Sequence, residues 1–592
     1  MRAEASRRLR QPRELQVLAP ASPNSSWVAF HSRAPGLESR LSYPSAPPRP
    51  SKQASQSAPA ATRRARARLA DFAGFAAAAA LFCALALAHL GVPGLYQDEA
   101  LDVAPAARLL LHYAVWPYSL LPRSAALPLM VCDHVGPTST YLMLPFLKLL
   151  GVNLLAVRVY EFTIGLLALL LVFLWARRVT PGTAWVAALL LASMPSLWLA
   201  ARNGLHVSFI VVPIGAGALL CADRWRQEQR PGWLYACAFL LGLGLSTKIL
   251  FLWFLAACAV GLAATRPALL REVSRRQAAA AALFFSLGCA PFLAFLALSR
   301  GLTIRTIFSS AAATPYGVEN ADFLPNLWTQ LHSFARLLDG GWLTWAGGAP
   351  RNPLAIAAFL AAAAYGIARG RHGGPRLRFS LIAIAVIVLA SCFTISTLGP
   401  KHLVILLPFL AVVTAWAVGR AWAERKGAVG RLAFVVLAVL CVAQFAWGMC
   451  DNGRYLRTLA ATGGVGLFSA AHDELARYLD AHGARGPLAG DWGFDSNLEV
   501  LTQGRVQVKQ IFDLREAPPY RYTREQTRAA LADPGSVFLF HADAVAAAPG
   551  RRAAFLDEAR NVGVAVTTAA VLRDGRGEPV IYVYQARGSG AP

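Results

Sequence analysis

The chain has 592 residues, 56% of them hydrophobic and only 15% charged, which excludes an ordinary soluble protein and indicates an integral membrane protein. Its 57 basic residues outnumber 32 acidic ones, a net charge of +25. With no cysteine–histidine finger and no aromatic-and-basic strand signature, that excess is assigned to membrane-flanking loops and the lipid bilayer, and no nucleic acid is expected as a partner.

Residues 1–62 are rich in Pro, Ser, Ala and Arg without a hydrophobic period and read as a disordered basic cytoplasmic tail. Arg63-Arg64-Ala65-Arg66-Ala67-Arg68 then precedes an apolar run from Leu69 to Leu90, long enough to span a membrane. A basic flank before an apolar run also describes a signal peptide, but further apolar runs follow, so an uncleaved first helix with a cytoplasmic N-terminus is expected.

A loop over 92–153 comes next. It opens on Gly94-Leu95-Tyr96-Gln97-Asp98-Glu99-Ala100-Leu101-Asp102, three carboxylates within five positions at a membrane edge. Acidic groups beside hydrocarbon need a partner, water or a function. If helical, the segment places Asp98 and Asp102 one turn apart on one face, with Glu99 beside them. The plainer reading is an acidic first turn complementing the positive end of a surface helix. Tyr141 to Gly151 is apolar but too short to cross and is expected to lie at the interface.

Ten further spans are expected, at about 154–175, 183–201, 206–222, 233–246, 249–264, 278–298, 353–368, 380–397, 403–419 and 432–449. With the N-terminus inside, the Arg-rich loops at 176–178, 223–230, 265–276, 369–378 and 420–431 all fall on the cytoplasmic side. Those carrying Asp98, Arg202, Lys248 and Lys401 fall outside. Seven of nine cysteines lie in or beside apolar segments, and no CxxC occurs. Residues 451–592 return to soluble composition. Strands at 487–492, 506–512, 536–541, 564–572 and 580–585, alternating with helices at 469–482, 525–532 and 551–560, predict a small extracytoplasmic α/β domain.

On this topology the acidic stretch shares one membrane face with Arg202, Lys248, Lys401 and His402, and with His134 and His206. Lys and Arg at helix ends often only snorkel to headgroups. Lys248, however, sits in the apolar hairpin Leu240-Leu241-Gly242-Leu243-Gly244-Leu245-Ser246-Thr247-Lys248-Ile249, where a cation wants an anion. Carboxylates opposite cations suit a reaction with a phosphate leaving group: a carboxylate takes a proton from a hydroxyl, and the cations stabilise the departing charge.

Five pieces in order carry a family resemblance: Tyr96-Gln97-Asp98-Glu99; Leu149-Leu150-Gly151-Val152-Asn153 with Arg158; Ala201-Arg202-Asn203-Gly204; Gly242 to Lys248; and Gly399-Pro400-Lys401-His402-Leu403-Val404 leading to Leu407-Pro408. Over roughly residues 70–450 the chain resembles membrane glycosyltransferases of the family C fold, in the dolichyl-phosphate-mannose protein mannosyltransferase and aminoarabinose transferase group. The resemblance implies a polytopic helical domain over 63–450 with about 11 transmembrane helices, followed by the α/β domain over 451–592. It implies Asp98 and Glu99 as the catalytic pair, and a polyprenyl-phosphate-linked sugar as donor, its phosphate held by Lys248, Lys401 and His402. Arg202, from the cation ring, is expected to meet the same phosphate.

Where many members carry a second acid, this chain reads Arg202-Asn203-Gly204-Leu205-His206, so Asn203 or His206 is expected to take the positioning role. No two-carboxylate metal site is then expected, and neither a metal nor another cofactor is assigned. A Lys-Pro-Pro-like element is replaced by Asp133-His134-Val135-Gly136-Pro137, leaving His134 as a substitute cation. The expected protein is a multi-pass inner-membrane hexosyl or pentosyl glycosyltransferase, inverting, with an extracytoplasmic lipid, glycan or protein acceptor. The rival readings are a lipid-linked sugar transporter or flippase, against which the lack of an internal repeat speaks, and a non-catalytic glycan-binding protein using Asp491-Trp492.

Overall fold

The computed structural model describes residues 53–587, apart from 121–125, 206, 370–373 and 515. From Ala61 onward the chain forms one compact unit. The tail expected over 1–62 falls mostly outside the described residues; its last ten positions, where Ala and Gln favour helix, already belong to α1 (Gln53–Leu87).

The acidic stretch is helical, as α2 (Gln97–Leu111), and the interfacial segment is α3 (Thr138–Leu150). Between them lies a two-stranded antiparallel ribbon, β1 (Ser119–Leu120) and β2 (Leu127–Pro128). Then follow α4 (Leu154–Val179), α5 (Ala184–Ser193), α6 (Pro195–Trp198), α7 (Val211–Glu228) and α8 (Pro231–Thr247). Next come α9 (Leu252–Thr265), the one-turn α10 (Leu269–Glu272), α11 (Arg275–Gly288), α12 (Ala290–Leu298), α13 (Leu302–Ser309) and α14 (Phe323–Asp339). The helical part ends with α15 (Pro353–Ala368), α16 (Gly374–Ala390), α17 (Pro400–Leu403), α18 (Leu407–Glu424) and α19 (Ala428–Thr462).

Among the described residues four helical stretches are long and apolar enough to cross a membrane: Ala67–Leu87, Leu154–Val179, Pro400–Glu424 and Ala428–Thr462. Two bent pairs bring this to six: α5 with Pro195–Arg202, turned by 72°, and α11 with α12, turned by 68°. Pro195 and Pro291 sit in the first turn after each break, where proline's missing N–H does no harm. Pro231–Thr247, Ile249–Thr265 and Pro353–Ala368 are apolar but shorter. The even ladder of 11 full spans is thus not what length and composition deliver, because several apolar runs are broken or truncated by Pro, Gly and polar residues.

α8 and α11 lie unusually close. A Cβ on Gly242 would overlap the Phe285 carbonyl, and one on Gly288 the Phe239 carbonyl, so the two glycines let the backbones touch. α19 runs past its expected end at 449, tied by Asn452 Nδ2 to the Ser193 carbonyl at 2.8 Å, and stops at Gly463 in the left-handed region (φ 65°).

Residues 466–586 build a mixed five-stranded sheet from β3 (Leu488–Ala489), β4 (Lys509–Gln510), β5 (Val537–His541), β6 (Val566–Arg573) and β7 (Pro579–Ala586). The order is β4-β3-β5-β7-β6, with β3 parallel to β4 and β5 and the β5–β7–β6 side antiparallel. All five strands fall within or beside the segments read as strands. Along β5 the side chains alternate: Leu539 packs with Leu475 and Leu479 of α20 (Ala471–Ala481), Phe538 and Phe540 with Phe555 of α23 (Arg551–Asn561). Both sheet faces are therefore covered, by α20 with α21 (Asp495–Leu501) and by α22 (Arg521–Leu531) with α23. Full burial of Phe555 alone contributes about 1.5–3 kcal/mol. The short α21 was not expected from the sequence.

Candidate active site

α2 starts where the dipole favours acids, with Asp98 and Glu99 in its first turn. Tyr96 precedes it in extended conformation, its ring stacked on Phe468 at 4.4 Å and edge-on to Trp492 at 6.0 Å. Trp492 is thereby packed at a strand end rather than displayed, and Asp491 beside it is buried near His541 (3.2 Å). The Gln97 amide donates to Asp495 at the start of α21. Arg108 donates to both oxygens of Glu499 on α21, at 2.6 and 2.8 Å, and Tyr113 Oη adds a third bond at 2.7 Å. The α/β layer thus grips α2 along its length and holds the acidic turn in place.

The three carboxylates go separate ways. Asp98 is partly exposed and meets Lys401 Nζ at 3.3 Å, across 303 positions of sequence. Glu99 is buried, paired with Arg158 and accepting from Asn203 Nδ2 at 3.1 Å. Asp102 is also buried and accepts the Val207 backbone N–H at 2.9 Å. Helical spacing put Asp98 and Asp102 on one side, but burial separates them.

Arg158 and Arg202 are both fully buried. Arg202 donates to the carbonyls of Ala88 (2.9 Å), Val92 (2.6 Å) and His89, while Arg158 donates to those of Arg202 (2.7 Å) and Pro93 (2.9 Å). Carbonyls just past the end of α1 would otherwise be buried unsatisfied, and the two guanidiniums answer them. The Arg202 guanidinium, expected to face a phosphate, is therefore engaged with backbone instead.

Lys248 lies in an extended break between α8 and α9 (φ −155°, ψ 128°). That break pairs with the loop replacing the Lys-Pro-Pro-like element. Val135 bridges Lys248, Ile249 N–H donates to the His134 carbonyl at 3.1 Å, and Gly136 N–H to the Thr247 carbonyl at 2.9 Å. A Cβ on Gly136 would strike the Ser246 carbonyl, so only glycine permits this approach. Lys248 is buried, donates to Ser208 Oγ at 2.6 Å, and lies in the field of Lys401, Asp102 and Asp98. His402, one residue beyond Lys401 on α17, is buried with Nε2 3.5 Å from Thr397 Oγ1. His206 lies outside the described residues.

His134 is held by Asp133 at 2.7 Å. Burial disfavours its charged form, but Cys132 and the Asp133 hydrogen bond outweigh that and push its pKa up to about 9, making it a cation near neutrality. Cys132, Asp133 and His134 offer ligand atoms within 4.8 Å of one another and are the group among the described residues able to hold a metal ion. The Asp133 oxygens are already engaged by His134 and by Thr306 Oγ1 at 2.5 Å, which argues for a hydrogen-bonded turn. Glu161 is a buried acid that sequence reasoning passed over; a Cβ on Gly204 would meet its carboxylate. The available signal was an acid three residues after Arg158 inside an apolar run.

The site is thus a partly exposed carboxylate beside a lysine, with a second, buried lysine behind, on a broken-helix membrane body capped by an α/β layer. Residues 134–295 match the family described as dolichyl-phosphate-mannose-protein mannosyltransferase. Among solved structures the chain is similar to ArnT from Cupriavidus metallidurans in the apo state (TM-score 0.55, 14% identity, covering 86% of this chain and 97% of that one). It is similar also to the same protein bound to undecaprenyl phosphate (TM-score 0.50, 14% identity, 86% and 97%). No curated protein matches the chain in sequence. The family match is thus confined to residues 134–295, and at these identities the solved structures speak for the fold alone.

Proposed function

We propose that the protein is a membrane glycosyltransferase that moves a sugar from a polyprenyl-phosphate donor to an extracytoplasmic acceptor with inversion. The observation carrying this reading is the Asp98–Lys401 contact at 3.3 Å, a carboxylate and a cation 303 positions apart meeting at one partly exposed point, with Lys248 close behind. Asp98 accepts the proton of the acceptor hydroxyl as its oxygen bonds to the anomeric carbon, and the bond from that carbon to the phosphate oxygen breaks. The departing phosphate is met by Lys401 and Lys248, with His402 and His134 adding donors. Lys401 exchanges one anion for another when the donor enters.

Next to Lys248 runs an apolar cavity of about 330 Å³ whose lining includes Ile249, Trp253, Phe308, Phe393 and Ile395. It suits the first isoprene units of a prenyl chain whose phosphate rests on the lysine. The similar ArnT structure with undecaprenyl phosphate bound agrees with this donor class. Glu99 acts as a positioning residue, because its carboxylate is occupied by Arg158 and Asn203. Arg202 serves the same end by holding the turn that leads into α2.

The test is mass spectrometry of envelope glycans and glycolipids from cells lacking the gene. One glycosyl residue should disappear, return with the native gene, and fail to return with Asp98→Asn. An unchanged glycan profile in the deletion strain would overturn the proposal.

A further inference from the structure

At the far end of α7 and α8 from Lys248, about 25 Å away along the 17-residue α8, a second charged cluster closes the helical body. Its centre is Asp223 on α7, which accepts from Arg178 Nε of α4 at 3.0 Å, Arg226 Nη2 at 3.1 Å and Arg376 Nη2 of α16 at 2.7 Å. The side chain of Arg266, in the turn after α9, makes no hydrogen bond or ion pair among the described residues, and stands in the field of Arg226 and Arg376. Four guanidiniums thus surround one saturated carboxylate, with Glu272 acting on Arg266 as a weaker second acid.

Asp223, Arg226, Arg266 and Arg376 line a cavity of about 120 Å³ whose remaining wall, Thr265 apart, is apolar, including Trp175, Leu262 and Phe379. Like charges crowded between hydrophobic helices repel unless an anion joins them. An anion with a purely aqueous habit would leave that apolar wall unused. Leu262 and Leu269 of that wall are themselves partly exposed, so the cavity opens onto apolar surface suited to acyl chains. Exposed Arg271, Arg275 and Arg276 extend the positive charge along the same edge.

We propose that this cavity is a binding site for the phosphodiester of an anionic glycerophospholipid, held by Arg226, Arg266 and Arg376 with an acyl chain along the Trp175–Phe379 wall. A headgroup lodged there ties α4, α7, α9 and α16 together at the membrane face opposite the Asp98 site.

The experiment is native mass spectrometry of the full-length protein released from micelles, titrated with phosphatidylglycerol or phosphatidylcholine. The native protein should retain one phosphatidylglycerol in preference to phosphatidylcholine. Arg266→Gln, which breaks no side-chain hydrogen bond or ion pair within the described residues, should lower that retention about fivefold, while Arg266→Lys keeps most of it. Arg305→Gln, on the exposed side of α13, should change nothing. Equal retention of the two lipids, or undiminished phosphatidylglycerol on Arg266→Gln, would overturn the proposal. So would displacement by millimolar inorganic phosphate as effective as by short-chain phosphatidylglycerol, which would mark a soluble-phosphate site instead.

Discussion

Replacing Asp98 by Asn separates catalysis from stability, because the structure places this carboxylate at the edge rather than in the interior. At 3.3 Å the attraction to Lys401 is roughly 1 kcal/mol in a water-like medium and about 5 kcal/mol at the effective dielectric of a protein surface. Lys401 is 32% exposed, so solvent screening and the ordering of a long side chain reduce the net contribution to about 0–1 kcal/mol. Asp98→Asn should therefore leave expression and thermal unfolding almost unchanged. If Asp98 takes the acceptor proton, the same change should slow transfer by about 10²–10⁴-fold, or roughly 3–5 kcal/mol of barrier. The assay is sugar transfer in proteoliposomes supplied with a panel of polyprenyl-phosphate sugars and an envelope acceptor extract, with folded protein counted by gel filtration. A variant with more than a tenth of native activity per folded molecule would refute the base assignment. So would a loss of activity that only tracks a loss of folded protein.

Glu99→Gln should behave oppositely, leaving Arg158 charged and fully buried at a cost of about 3–5 kcal/mol, read as a large fall in Tm. Arg108→Ala removes the two-pronged hold on Glu499 and should weaken docking of the α/β layer by about 1.5–3 kcal/mol, seen as faster proteolysis around 463–466. Gly242→Val forces α8 away from α11 and should cost about 1–3 kcal/mol; an unaltered Tm would show that the helices part freely. His134 has a folded pKa raised from 6.5 to about 9, so its contribution is whole below pH 6.5 and is lost as pH rises through 9. Tm should accordingly fall between pH 7 and 10, and Asp133→Asn should flatten that fall.

The site was legible to different depths. The Asp98-Glu99 pair and the cations at Lys248, Lys401 and His402 stand out as charges in apolar surroundings, and position along the chain suffices to find them. What spacing could not tell was which carboxylate stayed partly exposed. Asp98 and Asp102 are equivalent by helical period, and only the packing of α2 against α3 and the Val207 N–H buries one and leaves the other beside Lys401. Arg202 looked like a phosphate ligand because its need for an anion is plain in the sequence, whereas the three carbonyls after α1 that satisfy it are not.

By itself the sequence determined the membrane class, the helical and strand segments and the candidate charges, because hydrophobic period and composition are local properties that survive without knowledge of neighbours. Tertiary structure alone decided which apolar runs bend or fall short of a full crossing, how α21 clamps α2, and that three arginines converge on Asp223. Those outcomes depend on groups brought together from distant parts of the chain, and a buried charge takes its role from the partner that desolvation obliges it to find.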